Sequence, residues 1–175
     1  MNEEQLKLNA HRRWIGQTMI KVGVKQIWNA ISDFSDVEGD FNRFKKSLLN
    51  LPVAELDSKY YFTSWENWQK VIETINPILQ EFNWKMDRFD CDDRALLITA
   101  LTSLFFEINT VRPVYCDVYR VGDGQFAFAH YANVIVDSDG NAWLWDADEF
   151  GLFTKITTTT GTIINNKRYV LKAVK

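Results

Sequence analysis

FDCDDRALLITALTSLFF, residues 89–106, is the stretch on which the reading of this chain turns. Asp90 is a natural N-cap, Cys91 then falls at the first helical position, and Asp92 and Asp93 fill the first turn. Leu96, Leu97, Ala100, Leu101 and Leu104 follow at helical spacing, which predicts a helix that buries that face. A thiol at such a place meets unpaired backbone N–H groups and the positive end of the helix dipole, and both favour thiolate. Asp92 and Asp93 act in the other direction, because nearby negative charge disfavours a second anion. Arg88, Arg94 and Arg120 are the cations at hand to offset them.

Downstream of this helix the hydrophobic period changes. Pro113 opens a half rich in strand formers: VYCDVYRV at 114–121, QFAFAHYANVIVD at 125–137, NAWLWDAD, GLFTKITTTT and RYVLKAV. Gly122-Asp123-Gly124, Ser138-Asp139-Gly140 and residues 165–167 supply the turns. The middle turn makes the strand holding His130 antiparallel to the one holding Asp146. Residue 138 is midway between them, so the two side chains are expected roughly opposite each other on one face. Asp148 shares that face and competes for the same role.

Cysteine, histidine and aspartate in this order give the logic of a thiol nucleophile. Cys91 attacks, His130 takes its proton, and Asp146 fixes the imidazole tautomer. Taken singly, a cysteine at a helix start is a small buried residue and a strand histidine is a satisfied polar group. Their register carries the assignment. Cys116, mid-strand, has no such setting and reads as structural.

Upstream, the chain to about residue 56 reads as helical. QTMIKVGVKQIWNAI, 17–31, places Ile20, Val24, Ile27, Trp28 and Ile31 on one face. SDFSDVEGD, 32–40, is a turn-rich break, and a short helix through Phe41, Phe44, Leu48 and Leu49 ends at Pro52. These helices form a layer on the core, or an add-on through which a protein partner is met. SKYYF, 58–62, is extended. Thr63 and Glu66 suggest a capping box for a helix through Trp65, Trp68, Val71, Ile72 and Ile75, kinked or restarted at Pro77. The aromatic stripe Trp65, Trp68, Phe82 and Trp84 reads as core, with Trp84 close enough to Cys91 in sequence to wall the site.

Helices followed by an antiparallel sheet are the pattern of an α+β domain. The expected architecture is a set of N-terminal helices and a central helix with Cys91 at its N-terminus, packed on a C-terminal antiparallel sheet. Residues 1–175 form a single domain, with 1–60 as a helical N-terminal extension or layer and 61–175 as the core.

Composition narrows the function classes. Of the 175 residues, 46% are hydrophobic and 14% aromatic, which excludes a disordered chain. No apolar run reaches membrane-spanning length, so no membrane partner is expected. The N-terminus MNEEQLKLNAHRRW lacks the apolar core of a signal peptide, which suggests a cytoplasmic protein with free thiols. Residues 86–150 carry twelve acidic side chains against four arginines and no lysine, a balance of −8. That excludes a nucleic-acid partner at this region, since phosphates require a basic stripe. Asp137, Asp139 and Asn141 imitate the start of a calcium loop. The glycine stands at position four instead of six and Asp148 replaces the closing glutamate, so a hairpin turn is expected. No C-x-x-C or H-x-x-x-H pair is present, and no metal or cofactor is expected.

FDCDDRALL, AHYANVIVD and AWLWDAD together resemble the transglutaminase-like and papain-like cysteine peptidases of bacteria and phages, over about residues 84–150. The C-terminal protease domains of fungal agglutinins are similar in the same way, with a different acid. The resemblance implies a papain/transglutaminase-like fold and a thiol-dependent acyl-transfer enzyme, a peptidase or amidohydrolase acting on a protein or peptide. It assigns Cys91, His130 and Asp146 to the triad. A catalytically dormant binding module with the same fold is the alternative. The glutamine that papain-like enzymes place just before the cysteine has no counterpart, as Gln80 lies eleven positions upstream. Trp84, Asn83 or the Cys91 backbone N–H would serve the oxyanion instead.

Overall fold

The computed structural model describes residues 36–49, 51–82, 90–148 and 152–174. Its dominant element is a six-stranded antiparallel sheet. The strands are β3 (Val111–Arg120), β4 (Phe126–Val136), β5 (Ala142–Asp146), β6 (Leu152–Lys155), β7 (Thr162–Ile164) and β8 (Lys167–Val174), in the order β6-β5-β4-β3-β8-β7. The outer strands β6 and β7 lie beside each other, so the sheet curls into a nearly closed barrel. A two-stranded sheet pairs β1 (Asp36–Gly39) with β2 (Tyr60–Thr63). Helices α1 (Phe41–Ser47), α2 (Trp65–Gln80) and α3 (Cys91–Phe106) complete the described residues.

The expected helix-packed α+β fold of papain/transglutaminase type is therefore corrected to a mainly β architecture. The strands alternate apolar residues toward a shared interior: Val114, Cys116 and Val118 from β3, Ala132, Val134 and Val136 from β4, Leu144 from β5, and Tyr169 and Leu171 from β8. Phe44 from α1, Leu48 at its C-cap, and Tyr60 and Phe62 from β2 join this core. Because the sheet curls on itself, its inner face is filled largely by its own side chains. Register shifts at Val118/Tyr119 and Tyr115/Cys116 add to the curl of β3 against its neighbours. The helices α2 and α3 cover only part of the outer face, where Trp68, Ile72, Ile75, Ile98 and Leu101 meet Val111, Ile135 and Trp145.

Local predictions meet mixed outcomes. All three turns form, with Gly124, Gly140, Asn165 and Asn166 at positive φ. Asp137 anchors the middle one, accepting from the backbone N–H groups of Asp139 and Asn141 and from the Trp143 indole at 2.9 Å. The expected Thr63 cap lies one residue later, where Ser64 Oγ accepts from the Asn67 N–H. α2 continues through Pro77 to Gln80. β1 forms within the expected turn-rich break, so residues 1–60 are not wholly helical. α3 buries Ala95, Ile98, Leu101, Thr102 and Phe106, while Leu96 and Leu104 are exposed at 57% and 70%. Of the expected face, Leu101 is buried and Leu97 packs partly buried on the core. The apolar residues go all round, so spacing alone did not fix which face turns inward. The helix proposed for 17–31, Asn83 and Trp84 lie outside the described residues. No helix among them is long and apolar enough to cross a membrane.

Candidate functional site

β4 and β5 bring His130 and Asp146 together. The ladder pairs Asn133 with Trp145 and Val134 with Leu144, so Asp146 stands level with residue 132. His130 is its diagonal neighbour, two residues away from the expected opposite position but on the same inner face. The diagonal still closes: His130 Nε2 lies 3.1 Å from Asp146 Oδ2. Both side chains are buried, with Asp146 only 1% exposed.

Asp146 is held from three sides. Tyr169 on β8, a strand three places from β5 in the sheet, donates its hydroxyl to Oδ2 at 2.6 Å. The Asp148 N–H donates to Oδ1 at 2.9 Å. Burial pushes the Asp146 carboxyl up, but His130 and these donors together hold it below its ordinary value. Burial likewise opposes charge on His130. The bonds and charges of Asp146 and Cys91 outweigh it and raise the imidazole to about 10. With Nε2 given to Asp146, Nδ1 is the nitrogen left to serve Cys91.

Cys91 occupies the first position of α3, partly exposed. Asp90 is the N-cap by backbone geometry, yet its side chain makes no capping hydrogen bond. It bonds Asp92 instead, and this bond raises the Asp92 carboxyl, helped by partial burial and the charge of Asp90. The Asp92 carboxyl thus holds a proton more readily than an isolated aspartate. The helix start is fastened by Arg94, whose guanidinium meets Asp148 Oδ1 at 3.0 Å and the Phe82 carbonyl at 2.8 Å. Asn133 on β4 donates to the Ala95 carbonyl at 2.9 Å, tying the same turn to the sheet.

Cys91, His130, Asp146 and Asp148 line one pocket of about 360 Å³, together with Phe128, Ala129 and Lys167. Lys167 Nζ lies 5.5 Å from the centre of the Phe128 ring. Cys116 faces the core, fully buried, with its thiol 3.4 Å from the His130 carbonyl. Burial drives its pKa well above that of a free thiol. His130, Asp146 and Asp148 stand close enough to share a cation, as do Asp90, Cys91 and Asp92. In the first trio the bonds to His130, Tyr169 and Arg94 already account for the charges.

Sequence reasoning missed Tyr169, Arg94 and Asp148 as parts of one scaffold. Asp148 had been a rival to Asp146, and the structure makes it the link from Asp146 to Arg94. Tyr169 carried a weak signal, a polar-tipped aromatic among the inward positions of the last strand.

No protein-family model matches the chain, and no curated protein matches it. Among solved structures, it is similar to a Polyporus squamosus lectin, solved with a human-type influenza-binding epitope. The likeness has a TM-score of 0.51 at 13% identity, and covers 67% of this chain and 45% of the lectin. The chain thus spans less than half of that lectin's length, and the likeness bears on fold alone. It agrees with the correction from a helix-packed to a mainly β architecture.

Proposed function

We propose that the protein is a thiol-dependent acyl-transfer enzyme, acting as a peptidase or amidohydrolase. The observation that carries this reading is the buried His130–Asp146 pair, 3.1 Å apart, sharing one pocket with a cysteine at a helix start. The motif resemblance to cysteine peptidases bears on these residues and not on the fold.

The chemistry follows from the arrangement. His130 holds the thiol proton, and Asp146 stabilises the imidazolium. Cys91 Sγ forms a bond to the carbonyl carbon of an amide, and the carbonyl oxygen takes the negative charge. The Cys91 backbone N–H, at a position where the helix offers it no acceptor, is available to that oxygen. Collapse breaks the C–N bond, and His130 gives its proton to the leaving amine. Water then attacks the thioester, releasing acid and restoring the thiol; an amine in place of water would give transamidation.

The test is a search for cleavage. The protein is incubated with a denatured proteome digest blocked at its amino groups, and newly formed amines are read by mass spectrometry. New amines that appear with the native protein and vanish in Cys91→Ala support the reading. Identical product sets for the two proteins would leave the fold with a dormant site.

A further inference from the structure

β4 is longer than the neighbour that covers it. β3 pairs with it from Phe126 to Ile135, but β5 pairs only with Asn133–Val136. After Asp146 the chain turns through Ala147 and Asp148, and β6 returns along the far side of β5. Among the described residues, Phe126–His130 therefore has a ladder on one side and none on the other. Phe126, Ala127, Phe128 and Ala129 are all exposed, the phenylalanines at 56% and 40%.

A bare apolar strand edge is a template for another chain and an aggregation hazard, so it calls for an occupant. The occupant is indicated by where the edge leads. Phe128 and Ala129 line the pocket that holds Cys91 and His130. Neighbouring strand residues project to opposite faces, so a pocket lined by both reaches round the strand's edge. The Phe128 ring stands edge-on to the His130 ring, with centroids 5.7 Å apart.

We propose that the free edge of β4 from Phe126 to His130 binds substrate as an added antiparallel or parallel strand and delivers its scissile amide to Cys91. This inference rests on the acyl-transfer reading and names the substrate class: a flexible or unfolded protein segment, since a folded one has no spare strand to offer. The edge spans roughly 13 Å at about 3.3 Å per residue, enough for four substrate residues. Main-chain hydrogen bonds from every second residue bind without regard to sequence, and Phe128 adds selection for an apolar side chain within two residues of the amide.

The test uses the full-length Cys91→Ala protein, which holds no nucleophile at the site. Amide hydrogen exchange across residues 126–131 is measured with pools of acetylated tetrapeptide amides at millimolar concentration. One pool fixes phenylalanine or leucine at the second position, a second pool fixes glycine there, and a third is the first with every backbone nitrogen methylated. The expected result is at least fivefold slower exchange with the apolar pool, weaker slowing with the glycine pool, and none with the methylated pool. Unchanged exchange with the apolar pool, or equal slowing by the methylated pool, would overturn strand addition. Either result leaves the thiol chemistry to be judged separately, by alkylation of Cys91 in the unmodified protein.

Discussion

Asp146 Oδ2 is the most heavily used atom of the site, taking both His130 at 3.1 Å and Tyr169 at 2.6 Å. Removing a hydrogen bond to a buried charge costs about 1.5–3 kcal/mol. Tyr169→Phe is therefore expected to lose about that much in urea denaturation, and to raise the His130 pKa, because a carboxylate with one donor fewer accepts more strongly from imidazolium. Its titration is readable by NMR. The pH dependence of stability follows from the same pair. The folded His130 pKa lies above its ordinary value, at about 10. Its contribution is then complete below about 6.5 and lost as pH rises toward 10. Urea midpoints at pH 6.5 and 10 should fall more in the wild type than in His130→Gln; equal falls would contradict the pairing. The two thiols should separate as cleanly. Cys116 is fully buried, so Ellman's reagent is expected to read one thiol in the native protein and two after denaturation.

At the scale of elements, the site depends on how α3 is seated. Arg94 joins the helix start to Asp148 and to the Phe82 carbonyl, and Asn133 joins it to β4. Arg94→Ala leaves Cys91, His130 and Asp146 unchanged but frees the turn that carries Cys91. We expect at least a fivefold fall in the His130-dependent part of the Cys91 alkylation rate, with the His130 titration kept. Unchanged alkylation would mean that Arg94 serves stability alone. Much of this level was legible in the sequence. The 3.6-residue period found α3, the glycine and asparagine turns found the hairpins, and the turn at 138–140 put His130 and Asp146 on one face. The register missed by two residues because the turn was centred at 138, whereas the ladder places its centre at 139. The buried face of α3 was not legible, since a helix apolar all round takes its orientation from the sheet it meets.

The whole molecule shows where sequence reading stops. Alternation marks strands but not which strand joins which. β8 pairs with β7 through a local hairpin and with β3 on its other side, and only that non-local pairing carries Tyr169 to Asp146. Closure of the sheet is likewise set by curl accumulated over six strands, which no local window contains. The helices-then-sheet order suggested a helical layer on an open sheet, and the barrel fills its own interior instead. Cys91, His130 and Asp146 were singled out from local setting and register, and the structure brings them to one pocket. The fold class depends on non-local pairing and was not legible in the same way.

The central claim is that Cys91 and His130 form an activated pair. The most direct measurement is the iodoacetamide alkylation rate of Cys91 between pH 4 and 10, with Cys116→Ser as background and His130→Ala beside it. The account predicts rapid alkylation that persists well below the free-thiol pKa of about 8.5 and reverts to an ordinary thiol profile in His130→Ala. A slow reaction that rises only near that value, with or without His130, would contradict it.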